Sequence, residues 1–386
     1  MAQGVGRVFP AAVLWVQQGG KVRFRRAYGW LDPTTRRFPT GEDTLFDLAS
    51  LTKVFTAIAL MTLVAAGKVA LDTPVVEVLP ELRGRHPLLP GIDPHAKVPL
   101  PPNPAYQGKM VDAARLTFRH LLSHTGGLAA WVDVCDLPPG AAVPLPHRLP
   151  AETRRRRLAA LLQAPRFVYP PGEGLTYSDV GFMLLGEAVT RLAGMPLPDY
   201  MAQAVLAPLG MTAATYNPLA RGVPQRRVAP TEQCSWRGRR LWGEVHDENA
   251  CCLGGVSGHA GLFATAREVA LLGQWALSLG QGLLPPSLAQ EMVREQAWVG
   301  AERRGLGWKL QSPAQSPVGD AFGPESFGHT GFTGTSLWVD PRRALVVVLL
   351  TNRVYFGRDG ERIARFRLQV HRAVAAAVEA GAGEGI

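Results

Sequence analysis

Apolar residues gather near the two ends of the chain in short runs of the kind buried strands need, and recur at intervals of three and four through the middle. Residues 11–17 and 21–28 flank Gln18-Gly19-Gly20 and predict an antiparallel hairpin. A helix is predicted over 49–66, closed by Gly67. A proline-rich passage then runs from Leu71 to Tyr106, and helical spacing resumes over 115–128, 154–163 and 177–194. Residues 335–340 and 344–352 read as two strong strands around the turn Asp340-Pro341-Arg342-Arg343, and 361–379 as a last amphipathic helix. Strands at both ends around a helical middle predict an α+β fold. In it, 1–67 and 236–386 form a sheet domain and 68–235 a mostly helical insertion.

Composition narrows the function classes. With 386 residues, 47% of them hydrophobic, the chain can bury a full core. Its net charge of +10 is carried by arginine, since only six residues are lysine. The arginines are scattered, and the one dense run, Thr153 to Leu158, has no nucleic-acid-binding motif beside it; a solvated helix face is expected there and no nucleic-acid partner. No apolar run reaches the ~18 residues of a membrane span, and the N-terminus lacks a secretory layout. As written, the sequence predicts a cytoplasmic protein, or a periplasmic or extracellular one if a leader was removed. Its four cysteines, Cys135, Cys234, Cys251 and Cys252, do not suggest a disulfide framework, which fits a reducing compartment.

Candidate chemistry begins with Ser50 and Lys53, embedded in "FDLASLTKVFTAIAL". Residues three apart share a helix face. Burial and the positive helix end both disfavour an ammonium, so the lysine pKa is expected to fall and its amine to take the serine proton. Ser-x-x-Lys alone is weak evidence, because a chain with this many serines and lysines contains one by chance about one time in six.

Two further segments add to it. In "GLTYSDVGF", Tyr177 precedes a helix that Ser178 or Asp179 would cap, and a nearby cation would let it relay a proton. In "FGHTGFTGTSLWVDP", glycines ahead of a strand let the backbone near 331–334 approach a ligand, with His329 placed to donate to a substrate carboxylate or carbonyl. A second His-Thr-Gly, at 124–126, follows a helix and ends in Gly-Gly; it reads as a helix C-cap without a role in the chemistry.

Together, Ser50-x-x-Lys53, Tyr177-x-Asp179 and His329-Thr330-Gly331 resemble the serine β-lactamase and penicillin-binding protein superfamily. Their order and spacing are similar to the class C β-lactamase-related branch, which includes esterases and D-amino-acid peptidases. The resemblance implies a class C β-lactamase-like antiparallel sheet flanked by helices, beside a mostly helical domain. It implies a serine hydrolase without metal or cofactor, acting on a small ester, amide or peptide through an acyl-enzyme. Ser50 would be the nucleophile, Lys53 its base and Tyr177 the proton shuttle. The N–H groups of Ser50 and Phe332 would form the oxyanion hole, and Asp179, His329, Thr330 and Gly331 would meet the substrate. Two positions depart from the family pattern. Asp179 stands where asparagine is usual, and needs a cationic partner such as Lys53. His329 replaces a lysine, removing a permanent charge and favouring esterase or peptidase activity over β-lactam hydrolysis. A β-lactamase, a D-alanyl-D-alanine carboxypeptidase or a non-turnover binding homologue are the alternatives.

Two features remain outside that scheme. Residues 243–263 hold His246, Asp247, Glu248, Cys251, Cys252 and His259, all possible metal ligands, but adjacent cysteines do not easily share one tetrahedral ion, so a structured loop beside the site is expected. Arg353 and Arg358 follow the last strand, where surface salt bridges are expected for both.

Overall fold

The computed structural model describes residues 1–137, 141–312 and 316–383. Its centre is an eight-stranded antiparallel sheet. In chain order its strands are β1 (Ala11–Gln18), β2 (Lys21–Gly29), β3 (Ala297–Val299), β4 (Glu302–Arg304), β5 (Lys309–Leu310), β6 (Phe327–Thr330), β7 (Ser336–Asp340) and β8 (Leu345–Thr351). Across the sheet they run β3-β4-β5-β6-β7-β8-β1-β2, so chain from both ends meets where β8 pairs with β1. The β1–β2 turn takes positive φ at Gly19 and Gly20, the conformation a two-residue hairpin demands and glycine supplies.

β8 is buried at every position because both faces of the sheet are covered. Val346, Val348 and Leu350 face the main core, while Leu345, Val347 and Leu349 pack with Ile363, Phe366 and Val370 of the C-terminal helix, Glu361–Gly383. On the main-core side, helix Ala266–Leu277 lies close over β8: a Cβ at Gly273 would meet Val346 Cγ1 at 2.4 Å. The middle stretch, 68–235, adds no strand to this sheet, and we propose that it is the inserted domain. Its apolar residues join those under the sheet in one continuous core.

Four helices set the site, numbered here in chain order: α1 (Thr52–Ala65), α2 (Phe118–Leu122), α3 (Asp179–Ala193) and α4 (Glu248–Cys252). α1 is apolar around most of its circumference and correspondingly buried, as a helix enclosed on all sides must be. It ends at Gly67, φ +66°. α3 packs on α1 and also presses against 258, where a Cβ on Gly258 would overlap Phe182 O at 2.1 Å. The helix expected over 115–128 is only α2, because His124 turns the chain left-handed (φ +62°) two residues after it ends. His124, and not the Gly-Gly pair, terminates that helix. No single helix among the described residues is long and apolar enough to cross a membrane.

Candidate active site

Ser50 lies in a 3-10 turn, Ala49–Leu51, that feeds directly into α1. The residue before it, Ala49, is left-handed at φ +46°, a conformation a non-glycine residue adopts only when its surroundings enforce it. They do: Asp47 Oδ1 accepts the Ala49 N–H at 2.8 Å, and the Leu48 N–H donates to Leu262 O at 2.9 Å. The hydroxyls of Thr333 and Thr335 donate to the carbonyls of Asp47 (2.7 Å) and Leu48 (3.0 Å). The turn carrying Ser50 and the turn after β6 are thereby one unit. Gly331 sits at the junction, where a Cβ would fall 2.3 Å from Leu48 O.

Lys53, fully buried on the first turn of α1, donates to Ser50 Oγ at 3.0 Å and to His259 O at 3.2 Å, and its ammonium is 2.7 Å from Asp179 Oδ1. The expected fall in its pKa does not occur. Burial does push it down, but Asp179 and then Tyr177 outweigh burial, and the net shift is upward. Lys53 is therefore an ammonium at neutral pH, and Asp179 has the cationic partner that the sequence required of it.

Tyr177 joins this pair. Its ring lies 4.9 Å from Lys53 Nζ and 4.9 Å from the guanidinium of Arg304. Ser178 caps α3, its hydroxyl accepting from the Gly181 N–H at 3.1 Å and donating to Ala129 O at 2.7 Å. The His-Thr-Gly copy at 124–126 holds the Tyr177 segment in place. His124 Nδ1 accepts the Ser178 N–H at 3.0 Å, His124 O accepts the Thr176 N–H at 3.0 Å, and the imidazole packs on Tyr177 at 4.6 Å between centroids. Burial, with Arg304 and Lys53 nearby, lowers the His124 pKa well below its ordinary value, so the ring is neutral. Sequence reasoning dismissed this residue as part of a cap; the pairing of two segments fifty residues apart left no local signal.

His329, Thr330, Gly331 and Phe332 line the same cleft as Ser50, Tyr177 and Asp179, a space of about 1080 Å³. His329 is buried, and burial with the Arg304 and Lys53 charges lowers its pKa well below 6.5. Its Nδ1 is 2.8 Å from Thr330 O, which can only accept, so Nδ1 carries the hydrogen and Nε2 is left as an acceptor. Nε2 is buried without a partner among the described residues. His329 Nε2 is thus an acceptor, not the donor expected from sequence. The positive charge missing at 329 returns from β4 and β5, since Arg304 and Lys309 both line the cleft and share Glu302 as counter-ion.

Of the surface salt bridges expected of Arg353 and Arg358, only those of Arg358 form among the described residues. Arg353 is buried, with its guanidinium 4.4 Å over the Phe332 ring and Nε donating to Phe332 O at 2.7 Å. Arg358 bridges Glu232 and Glu248 at the cleft wall, at 2.8 and 2.7 Å. Glu232 also meets His246 Nε2 at 2.9 Å; burial opposes its ionisation, but His246 and Arg358 bring its pKa down to about 2.

In the 243–263 cluster, Asp247 caps α4 and pairs with His259 Nε2 at 2.8 Å, and Asp179 completes a group whose ligand atoms lie within 4.8 Å. The cation facing this group is Lys53's own ammonium, which occupies Asp179 and the His259 carbonyl. The thiols point elsewhere. Cys252 forms a disulfide with Cys135 across 117 residues, correcting the expectation of no disulfide, and Cys234 and Cys251 are free and buried.

A family model described as Beta-lactamase matches residues 1–372, and the chain belongs to that family. A relative from Escherichia coli (strain K12), named "Putative D-alanyl-D-alanine carboxypeptidase", is 31% identical over 378 residues, covering 92% of this chain and 80% of the relative. Two solved structures share the fold. EstCE1, a hydrolase with promiscuous acyltransferase activity, has a TM-score of 0.68 at 22% identity, with 96% of this chain and 95% of the other covered. Unliganded simvastatin synthase (LovD) from Aspergillus terreus has a TM-score of 0.70 at 21% identity, with 97% and 96% covered. The protein is a β-lactamase-related serine hydrolase.

Proposed function

We propose that Ser50 is the acylated residue, and that the preferred substrate is a small amide or ester whose departing part carries a carboxylate. The observation carrying this reading is Arg304, whose guanidinium stands over Tyr177 in the wall that also holds Lys309 and His329. A carboxylate there would meet two cations sharing one counter-ion. A peptide terminus of the kind named for the E. coli relative falls in this class.

In the first half-reaction, Ser50 Oγ bonds to the acyl carbon as the bond to the leaving group breaks; the Lys53 ammonium passes one proton through Tyr177 to the departing nitrogen or oxygen and takes up the Ser50 proton in its place, so it ends the step as it began. The carbonyl oxygen turns towards the N–H groups of Ser50 and Phe332, each worth about 3 kcal/mol in such a role. In the second half-reaction water takes the place of the leaving group and the proton returns to Ser50. Lys53, an ammonium at rest, orients Oγ and offsets the charge that develops beside it. The Cys135–Cys252 disulfide supports an oxidising compartment, periplasmic or extracellular, over the cytoplasmic expectation.

The test is a panel of matched acyl donors with and without a terminal carboxylate, run on wild type, Ser50→Ala and Arg304→Gln, with nitrocefin as the β-lactam arm. Ser50→Ala should be inactive on all of them. Arg304→Gln should raise KM at least tenfold for the carboxylate-bearing members only. Equal effects on both sets would refute the carboxylate preference, and a single stoichiometric burst without turnover would identify a binding homologue.

A further inference from the structure

Arg367 is a buried charge with no carboxylate within ion-pair distance among the described residues. Burial, together with the repulsion of Arg353, lowers its pKa to about 9, so its charge carries a cost that its position must offset. It lies on the C-terminal helix, and its Nη2 donates to Gly331 O at 3.0 Å and to Thr335 O at 2.8 Å. Thr335 O also accepts the Gly331 N–H at 2.8 Å, which closes the turn after β6 on itself.

The geometry of one peptide unit gives those contacts meaning. In a trans peptide the carbonyl of residue 331 and the N–H of residue 332 point in opposite directions. A guanidinium that fixes Gly331 O from behind therefore fixes the Phe332 N–H on the other side. Among the described residues that N–H meets no protein acceptor. Arg353 fixes the next carbonyl, Phe332 O, so the two peptides flanking Phe332 are each held by a charged donor. A charged hydrogen bond to the carbonyl also polarises the amide and makes its N–H a stronger donor.

We infer that Arg367 is a positioning residue for the oxyanion donor: from the C-terminal helix it locks the Gly331–Phe332 peptide so that the Phe332 N–H faces the acyl carbonyl. The inference rests on the reading of Ser50 and Phe332 given above. Although Arg367 also borders the cleft, the role inferred for it acts through the Gly331–Phe332 peptide and matters only when negative charge develops on the carbonyl oxygen.

The experiment compares Arg367→Met, which keeps the bulk, and Arg367→Lys, which keeps a charged donor. Each is measured for kcat, KM, thermal midpoint and affinity for an arylboronic acid, which forms a tetrahedral adduct with the serine. Arg367→Met should lower kcat about 10- to 100-fold with KM within about twofold, and weaken the boronate by the same factor. Arg367→Lys should recover much of both at a thermal midpoint close to wild type. Unchanged kcat in Arg367→Met, a loss confined to KM, or boronate affinity retained despite a fall in kcat would overturn the inference. Should Arg367→Met not fold, an Arg367→Lys variant whose kcat and boronate affinity move apart would overturn it equally. Ser50→Ala, run beside them, separates the two levels. If it keeps activity, the site reading falls and takes this inference with it; if it is inactive while Arg367→Met is not, only the inference falls.

Discussion

At the scale of single residues, the site is a balance between burial and pairing. Burial alone pushes the Lys53 pKa down; Asp179 at 2.7 Å, with Tyr177, reverses that direction. Asp179→Asn should remove the largest opposing effect to burial, so the Lys53 pKa falls and the alkaline limb of the kcat/KM profile moves to lower pH. An unmoved limb would mean that Asp179 does not set the lysine charge. That Ser50 and Lys53 share a helix face was legible from their spacing, and the place of Tyr177 beside them came from the family resemblance; the structure brings the three together. His124, Arg304, Arg353 and Arg367 were not legible. Each acts on a group 20 to 130 residues away, through a backbone carbonyl, a backbone N–H or an aromatic ring, and no local pattern encodes such a meeting. The expectation for His329 failed for a different reason: its tautomer is set by the backbone carbonyl of the adjacent Thr330, a conformation that the residue types do not encode.

At the scale of elements, hairpin, terminal strands and long helices were readable because periodicity and glycine placement determine them locally. Short helices were not; α2 is cut to five residues by the left-handed His124. The proline-rich passage gave no residue-level expectation, yet its tip reaches the cleft, where His95 lies over the Phe332 ring at 6.0 Å and Lys97 pairs with Glu248 at 3.1 Å. The disulfide ties the segment carrying Trp131, another cleft residue, to the end of α4. Closing so long a loop should contribute roughly 2–5 kcal/mol. Replacing Cys135 and Cys252 by serine should lower the denaturant midpoint accordingly, while replacing Cys251, which is free, should not have that chain-entropy effect. Equal stability of the disulfide-free and native proteins would contradict the role assigned to the bridge.

At the scale of the whole molecule, one core serves the sheet and the middle stretch together, a second lies under the C-terminal helix, and buried neutral histidines are built into the interior on both faces of the sheet. His371, on the buried face of the C-terminal helix, is lowered to about 4 by burial, and His124 and His329 are lowered as well. A histidine whose folded pKa lies below its unfolded value contributes stability that is present above about pH 6.5 and is lost as pH falls towards the folded pKa. For His371 alone that is roughly 3 kcal/mol between pH 6.5 and 4. The thermal midpoint should therefore decline across that window, and His371→Gln should flatten the decline; an identical slope in the variant would remove His371 from the explanation.

The central claim is that a hydroxyl on the turn before α1 becomes covalently acylated. Intact-mass spectrometry on protein quenched during turnover of a slow ester tests it directly, followed by peptide mapping. The account predicts one added acyl group per chain, located on Ser50, absent in Ser50→Ala and longer-lived in Tyr177→Phe. An acyl group on another residue, or steady turnover by Ser50→Ala without any adduct, would contradict it.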